Sequence, residues 1–272
     1  MKRLLPLLVL VACAPASPEA PTELSELARF LYAQHENEDP EVLAEGLGNL
    51  AQLLDEVDLE ADPEERSWIP QPLEASDLVG LQRPEDRDLA ALLTISLAGP
   101  SRFPVADHAL QQVQSDQLPA EPTATRYIRT ITAPEDPACF VAGDCDRLRT
   151  NNDVRRENFL MSVDFVFDKD FRWSFIGADD GSGDERNRAI VGRSWFEQSF
   201  PGDNGNTMLW QSYSLDLWLD DGSGGAQRFQ TLWSESQVVD ISEDVIRNVL
   251  RNSIDDIFVE GDTAIEALLA AE

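Results

Sequence analysis

Apolar residues recur at two different periods along this chain, and the change of period divides it. Leu24, Leu27, Ala28 and Leu31 fall at helical spacing, and Asp39-Pro40 supplies an N-cap and a first-turn proline for a second helix. In that helix Leu43, Leu47, Leu50, Leu54 and Val57 step by four and three, giving one apolar stripe. The pattern predicts a helical hairpin. Periodicity then disappears over 58–88, where Pro63, Pro70, Pro72 and Pro84 sit among charges with Trp68 and Ile69 as the bulky apolar pair, so this stretch reads as a linker or wrapping loop. A short apolar run from Leu89 to Leu97 fits a strand or a helix end equally well.

From about residue 124 the period falls to two. Phe159, Met161, Val163, Phe165 and Phe167 alternate with smaller or polar residues, and Leu209, Tyr213, Leu215, Leu217 and Leu219 do the same around Gln211. Strands are predicted at 124–132, 159–168, 171–177, 188–199, 207–219 and 227–239. Turn-like connectors join them, among them Asp168-Lys169-Asp170, Pro201 to Gly205 and Asp220 to Gly224. Five or six sequential strands joined in this way make an antiparallel meander. A final helix opens at Ser242, places Glu243 and Asp244 at the positive end of its dipole, and lines up Ile246, Val249, Leu250, Ile254, Ile257 and Phe258. The predicted class is α+β, with an N-terminal helical hairpin and a meander packed by the C-terminal helix.

A strand, helical material, a long meander and a closing helix, in that order over residues 89–260, resemble the START-like helix-grip fold. The resemblance rests on element order and implies a helix laid over a curved sheet, with an apolar cavity for a small molecule between them. On 207–219 Tyr213 and the leucines share one face, while Trp210, Ser212, Ser214, Asp216 and Trp218 share the other. That mixed face is the candidate ligand surface, with Trp210, Ser212, Ser214 and Trp218 as candidate contacts; the alternative is a solvent-facing strand surface carrying two tryptophans. Trp173, Trp195, Trp210, Trp218 and Trp233 all fall in the strand region, where large rings fill a core or line a pocket.

The first residues read as an address. Met1-Lys2-Arg3 precedes an apolar run that stops at Cys13 and is about half the roughly 20 residues needed to span a bilayer, which reads as a secretory signal over 1–12. Leu10-Val11-Ala12-Cys13 resembles the lipobox of bacterial lipoproteins, which implies acylation of Cys13 and anchoring in a cell envelope. Ala14 after the cysteine resembles the pattern of outer-membrane lipoproteins. Residues 13–21 then form the lipidated cysteine and a Pro-rich tether, whose last eight residues reach roughly 25 Å if extended. The remaining units are a hairpin at 22–60, the linker at 61–88 and a β-rich domain at 89–272. In an exported chain Cys139 and Cys145 are expected to form a disulfide, leaving Cys13 as the odd cysteine.

Charge narrows the partners. With 51 Asp plus Glu against 21 Lys plus Arg, the formal charge is −30, which repels a phosphate backbone and argues against nucleic acid. Loss of Lys2 and Arg3 with the signal would bring −30 to −32 and leave Lys169 as the lone lysine. Such a surface is also held off anionic headgroups, so membrane contact falls to the acyl chains.

Candidate chemistry is sparse. The two histidines, His35 and His108, read as a partly exposed side chain near a helix end and as a residue of an amphipathic stretch. Nucleophile-elbow, zinc-protease and Walker motifs are absent from the sequence. Gly46-Leu47-Gly48 begins a formal dinucleotide fingerprint, but it lies inside a helical pattern with no preceding strand. The Asp clusters at 179–184 and 220–221 lack EF-hand spacing and read as acidic turns. No catalytic residue, cofactor or metal site is assigned. The preferred function is a non-enzymatic, lipid-anchored envelope protein that binds or scaffolds something, with the hairpin as a candidate partner surface; the alternative is a START-like pocket that binds or transfers a small apolar molecule, and a third class, an envelope enzyme using acid pairs, has no motif to support it.

Overall fold

The computed structural model describes residues 18–84, 86–157, 162–179, 181, 187–203, 205, 207–238 and 241–271. The predicted signal segment 1–12 and Cys13 lie outside them, as do Phe159 and Met161. Helices α1 (Leu24–Ala33) and α2 (Pro40–Leu54) form the expected hairpin, and the Asp39 side chain accepts the Glu41 N–H at the start of α2. Strands β1 (Ser67–Trp68) and β2 (Leu93–Ser101) follow, then the short helix α3 (Val105–Gln112). The rest of the sheet comes from β3 (Ala124–Ala133), β4 (Arg147–Glu157), β5 (Ser162–Phe175), β6 (Arg188–Trp195), β7 (Phe200–Pro201), β8 (Thr207–Asp220) and β9 (Ala226–Val238). A single-turn helix, α4 (Ala138–Ala142), sits between β3 and β4. Helix α5 (Glu243–Ala271) closes the described chain.

All pairings are antiparallel, and the order is β1-β2-β9-β8-β6-β5-β4-β3, with β7 paired to β8. Strands β3 to β9 are thus a meander to which β2, earlier in the chain, is added beside the last strand. Alternation along each strand gives the sheet two unlike faces. On the back, Val191, Tyr213, Leu215, Leu217, Leu219 and Trp233 pack against the leucine stripes of α1 and α2 in one cluster. On the front, Ile95 and Leu97 of β2 meet Ile254 and Phe258 of α5. The helix-grip arrangement inferred from element order is present: a long C-terminal helix lies across an antiparallel sheet.

Several expectations are corrected. Among the described residues the sheet has nine strands, more than the five or six expected. Asp168-Lys169-Asp170 is not a turn, because β5 runs unbroken through it and pairs with β4 and β6 along its length; two expected strands are one. Strand β4 escaped notice because Arg, Asn and Asp occupy its outward positions and blunt its alternation. The 58–88 stretch contains β1, which pairs with Leu97 and Ser96 of β2. Residues 89–97 split into a short 3₁₀ turn, capped by Asp88, and the start of β2. The end of the expected tether is docked: Ala20 is buried, and Asn49 of α2 donates to the Pro21 carbonyl at 2.9 Å. The hairpin's apolar stripe is no partner surface, since Leu43, Leu47, Leu50 and Leu54 are buried against the sheet. Among the described residues, no helix is long and apolar enough to cross a membrane.

The glycines of α2 explain the false fingerprint. A Cβ on Gly46 would meet Phe30 and Leu31 of α1 at 2.9 Å, and one on Gly48 would lie 2.7 Å from the Gly177 Cα. Both positions let backbones approach closely, which is why a helix carries them despite their cost.

Candidate functional site

Helix α5 does not seal against the whole front face. Ile254 and Phe258 are buried on β2, but Leu250 and Ile257, on the same side of the helix, are only half-buried and face open space. That space is a cavity of about 180 Å³ between α5, α3 and the sheet. For scale, an engineered apolar cavity of about 150 Å³ takes up benzene. Phe165, Phe167 and Trp218 supply aromatic walls from the sheet, opposite Leu250, Ile254 and Ile257.

The helix is held over the cavity by charged clamps along its middle. Arg228 on β9 donates to the Phe258 carbonyl at 2.6 Å and to Asp262 at 2.9 Å, and Arg66 pairs with Asp255. Burial lowers the Arg228 pKa to about 10, with Asp262 opposing the fall. Ser101 Oγ donates to Asp262 at 2.7 Å and accepts from the Phe103 N–H at 3.2 Å. Its hydroxyl hydrogen is therefore committed, and His108 Nε2, 2.9 Å away, is the donor of that contact. Burial, reinforced by the Arg228 charge, drives the His108 pKa down to about 3, so the ring is neutral at pH 7. This serine–histidine pair is wired for structure: the histidine cannot take a proton that points at Asp262.

The cavity floor is polar. Lys169 Nζ lies 2.9 Å from Asp216 Oδ2, which also accepts from Ser214 at 2.8 Å, and Ser214 shares a hydrogen bond with Ser194 at 2.8 Å. The ammonium sits 5.1 Å from the Phe171 ring centroid and 5.9 Å from that of Trp218. At the far strands Arg129 of β3 is fixed by Asn152 of β4, Gln112 of α3 and Tyr127. Burial pushes the Tyr127 hydroxyl up to about 12 against the pull of Arg129, so it stays protonated.

Of the residues singled out from sequence, Ser212, Ser214 and Trp218 line this cavity together with Asp216. Trp210 does not. A register shift between Leu209 and Gln211 breaks the alternation there, and the Trp210 ring lies under Arg87 at 4.3 Å. Cys139 and Cys145 are joined by a disulfide that ties α4 to the loop after it. His35 is not partly exposed: it is fully buried just beyond α1, with Nε2 3.2 Å from the Val191 carbonyl and Nδ1 3.1 Å from Glu36. Asp220 and Asp221 fold onto their own turn, where Asp221 accepts the Ser223 and Gly225 N–H groups. Sequence reasoning missed Lys169 and Arg129. The signal for the first was its being the lone lysine past residue 2; reading 168–170 as a turn hid the alternation that places it beside Phe167 and Phe171.

A second, open groove of about 390 Å³ lies on the back face beside the hairpin, lined by Glu36, Asp168, Asp170, Arg149 and Arg193. Its charges answer one another, as in the 3.0 Å pair of Arg193 with Glu36. The cavity under α5 is the more enclosed of the two and the more apolar, which is the usual character of a small-molecule site.

Solved structures that this chain resembles in part include the following three. The STAR-related lipid transfer protein from Xanthomonas axonopodis is 12% identical over 65% of this chain and 87% of its own, with a TM-score of 0.43. A START superfamily protein from Mycobacterium smegmatis is 11% identical over 64% and 98%, with a TM-score of 0.40. The lipid transfer and protein localization domain of human StarD13 is 11% identical over 64% and 81%, with a TM-score of 0.36. No protein-family model and no curated protein matches the sequence.

Proposed function

We propose that this protein binds a small, largely apolar molecule in the cavity beneath α5. The observation that carries the reading is that the apolar side of α5 faces open space at Leu250 and Ile257, while the sheet opposite offers aromatic walls and a hydrogen-bonded floor. A helix packed only for stability would close on the sheet, because unfilled apolar space forfeits contact energy. Titration of the protein with 1-octanol by calorimetry tests this. One saturable site is expected, and Ser253→Phe, which fills the cavity from α5, should abolish it while leaving the melting temperature within a few degrees. Absence of binding, or equal binding by both proteins, overturns the reading.

We further propose that the domain is held at a bacterial envelope surface, in the outer membrane, by acyl chains on Cys13. The support is the lipobox-like Leu10-Val11-Ala12-Cys13 and the acidic surface, which leaves membrane contact to the lipid. Cys13→Ser should release the product from the membrane fraction; unchanged pelleting with membranes overturns the anchor.

A further inference from the structure

Among the described residues, the cavity contains one more positive charge than carboxylates answer. Arg129, Arg156, Lys169 and Arg228 all line it. Arg156 pairs with Glu121 at 3.1 Å, Lys169 with Asp216 at 2.9 Å and Arg228 with Asp262 at 2.9 Å. Among the described residues Arg129 pairs with no carboxylate, although it is only 3% exposed. A buried ion without a counter-ion is strongly unfavourable, and its three neighbours show the usual remedy.

Neutral dipoles hold Arg129 instead. Its Nε–H donates to Asn152 at 2.9 Å, Nη1 to the Gln112 carbonyl at 2.7 Å and side-chain oxygen at 2.9 Å, and Nη2 to the Tyr127 hydroxyl at 3.2 Å. Gln112 in turn donates to Gln111, and Gln111 to Gln117 at 2.7 Å, so the amides run head to tail with the oxygen end at the guanidinium. Such a chain stabilises the charge and leaves it in place. Of the five N–H bonds of the guanidinium, one on Nη2 has no acceptor among the described residues, and the Tyr127 hydroxyl hydrogen is likewise left over, because that oxygen accepts from Arg129.

We infer that the missing counter-ion belongs to the ligand. The cavity takes an aliphatic acid, its carboxylate against Arg129 and Tyr127 and its chain along Leu250, Ile254 and Ile257. The outer surface cannot supply this preference, since a net charge of −30 repels anions. Selection for an acid has to come from the interior. The inference rests on the cavity being a binding site, as proposed above.

Octanoate, 1-octanol and octylammonium share one tail and differ in charge, so calorimetric titration of the three at pH 7.5 isolates the head. Octanoate should bind at least about tenfold more tightly than 1-octanol, the scale of a charge-assisted hydrogen bond, and octylammonium most weakly. Arg129→Gln should bring octanoate down to the level of 1-octanol and leave 1-octanol unchanged; a purely structural role for Arg129 would weaken all three alike and would overturn the inference. Equal binding of octanoate and 1-octanol to the wild-type protein also overturns it, while the cavity reading stands. Binding of neither removes both. Should Arg129→Gln fail to fold, the wild-type comparison still decides, and Tyr127→Phe should weaken octanoate alone by about two- to fivefold.

Discussion

The two faces of one sheet follow different rules. Behind it, Leu27, Leu31, Leu43, Leu47, Leu50 and Trp233 are fully buried in a continuous apolar cluster, and the polar His35 and Gln211 beside it are held by hydrogen bonds. In front, α5 covers a floor of paired charges and leaves about 180 Å³ unfilled. Strand β8 carries both rules at once, with Tyr213, Leu215, Leu217 and Leu219 turned to the hairpin and Ser212, Ser214, Asp216 and Trp218 turned to the cavity. The contrast teaches that stability and ligand capacity are assigned to opposite sides. The dense apolar cluster under the hairpin lets the front tolerate open space.

Matched substitutions can break or sharpen this division. The largest difference is expected for leucines: Leu47→Ala on the back should cost about 2–5 kcal/mol in urea unfolding, and Leu250→Ala at the cavity well under half of that, because the front side chain is only half-buried and borders open space. Equal costs would show that the front is packed as densely as the back. Glycines should differ next. Gly48→Ala, 2.7 Å from the Gly177 backbone, should cost about 1–3 kcal/mol.

Each face also buries one histidine, and both titrate in the same sense. Burial lowers His35 to about 4 and His108 to about 3 from an ordinary 6.5. The unfolded chain therefore binds more protons, and stability should fall as pH drops from 6.5 towards 4, by up to about 1.4 kcal/mol per pH unit for each ring. Glu36, held low chiefly by its hydrogen bond to His35, adds a loss below its ordinary range, whereas Asp170, raised by burial, runs the other way there. His108→Gln should halve the slope above pH 5; an unchanged slope would mean that His108 is open to protonation when folded. The smallest effect is a gain. Gly261→Ala faces the cavity, with Arg228 at 3.7 Å, and should stabilise α5 by up to about 1 kcal/mol.

Much of this architecture was legible because helices and most strands declare themselves by local period. Asp39-Pro40, the leucine stripe and the Ile254 and Phe258 face each specify an element and its buried side. Ser212, Ser214 and Trp218 were placed on one face by alternation alone. Trp210 was lost because a bulge leaves no trace in a two-residue pattern, and β5 was cut in two because Asp-Lys-Asp has the composition of a turn. Local chemistry cannot reveal that two neighbouring strands already satisfy such a segment's backbone.

What the sequence determined by itself was the α+β class, the hairpin, the closing helix and the excess of acid, all of which depend on neighbours within a few residues or on simple counts. Only the tertiary structure decided that β2 joins β9, that the hairpin is spent on the back of the sheet, and that Arg129 is buried with amides around it and, among the described residues, no carboxylate. Those outcomes turn on contacts between residues far apart in the chain, where burial and pairing are settled by the whole fold and not by any stretch of it.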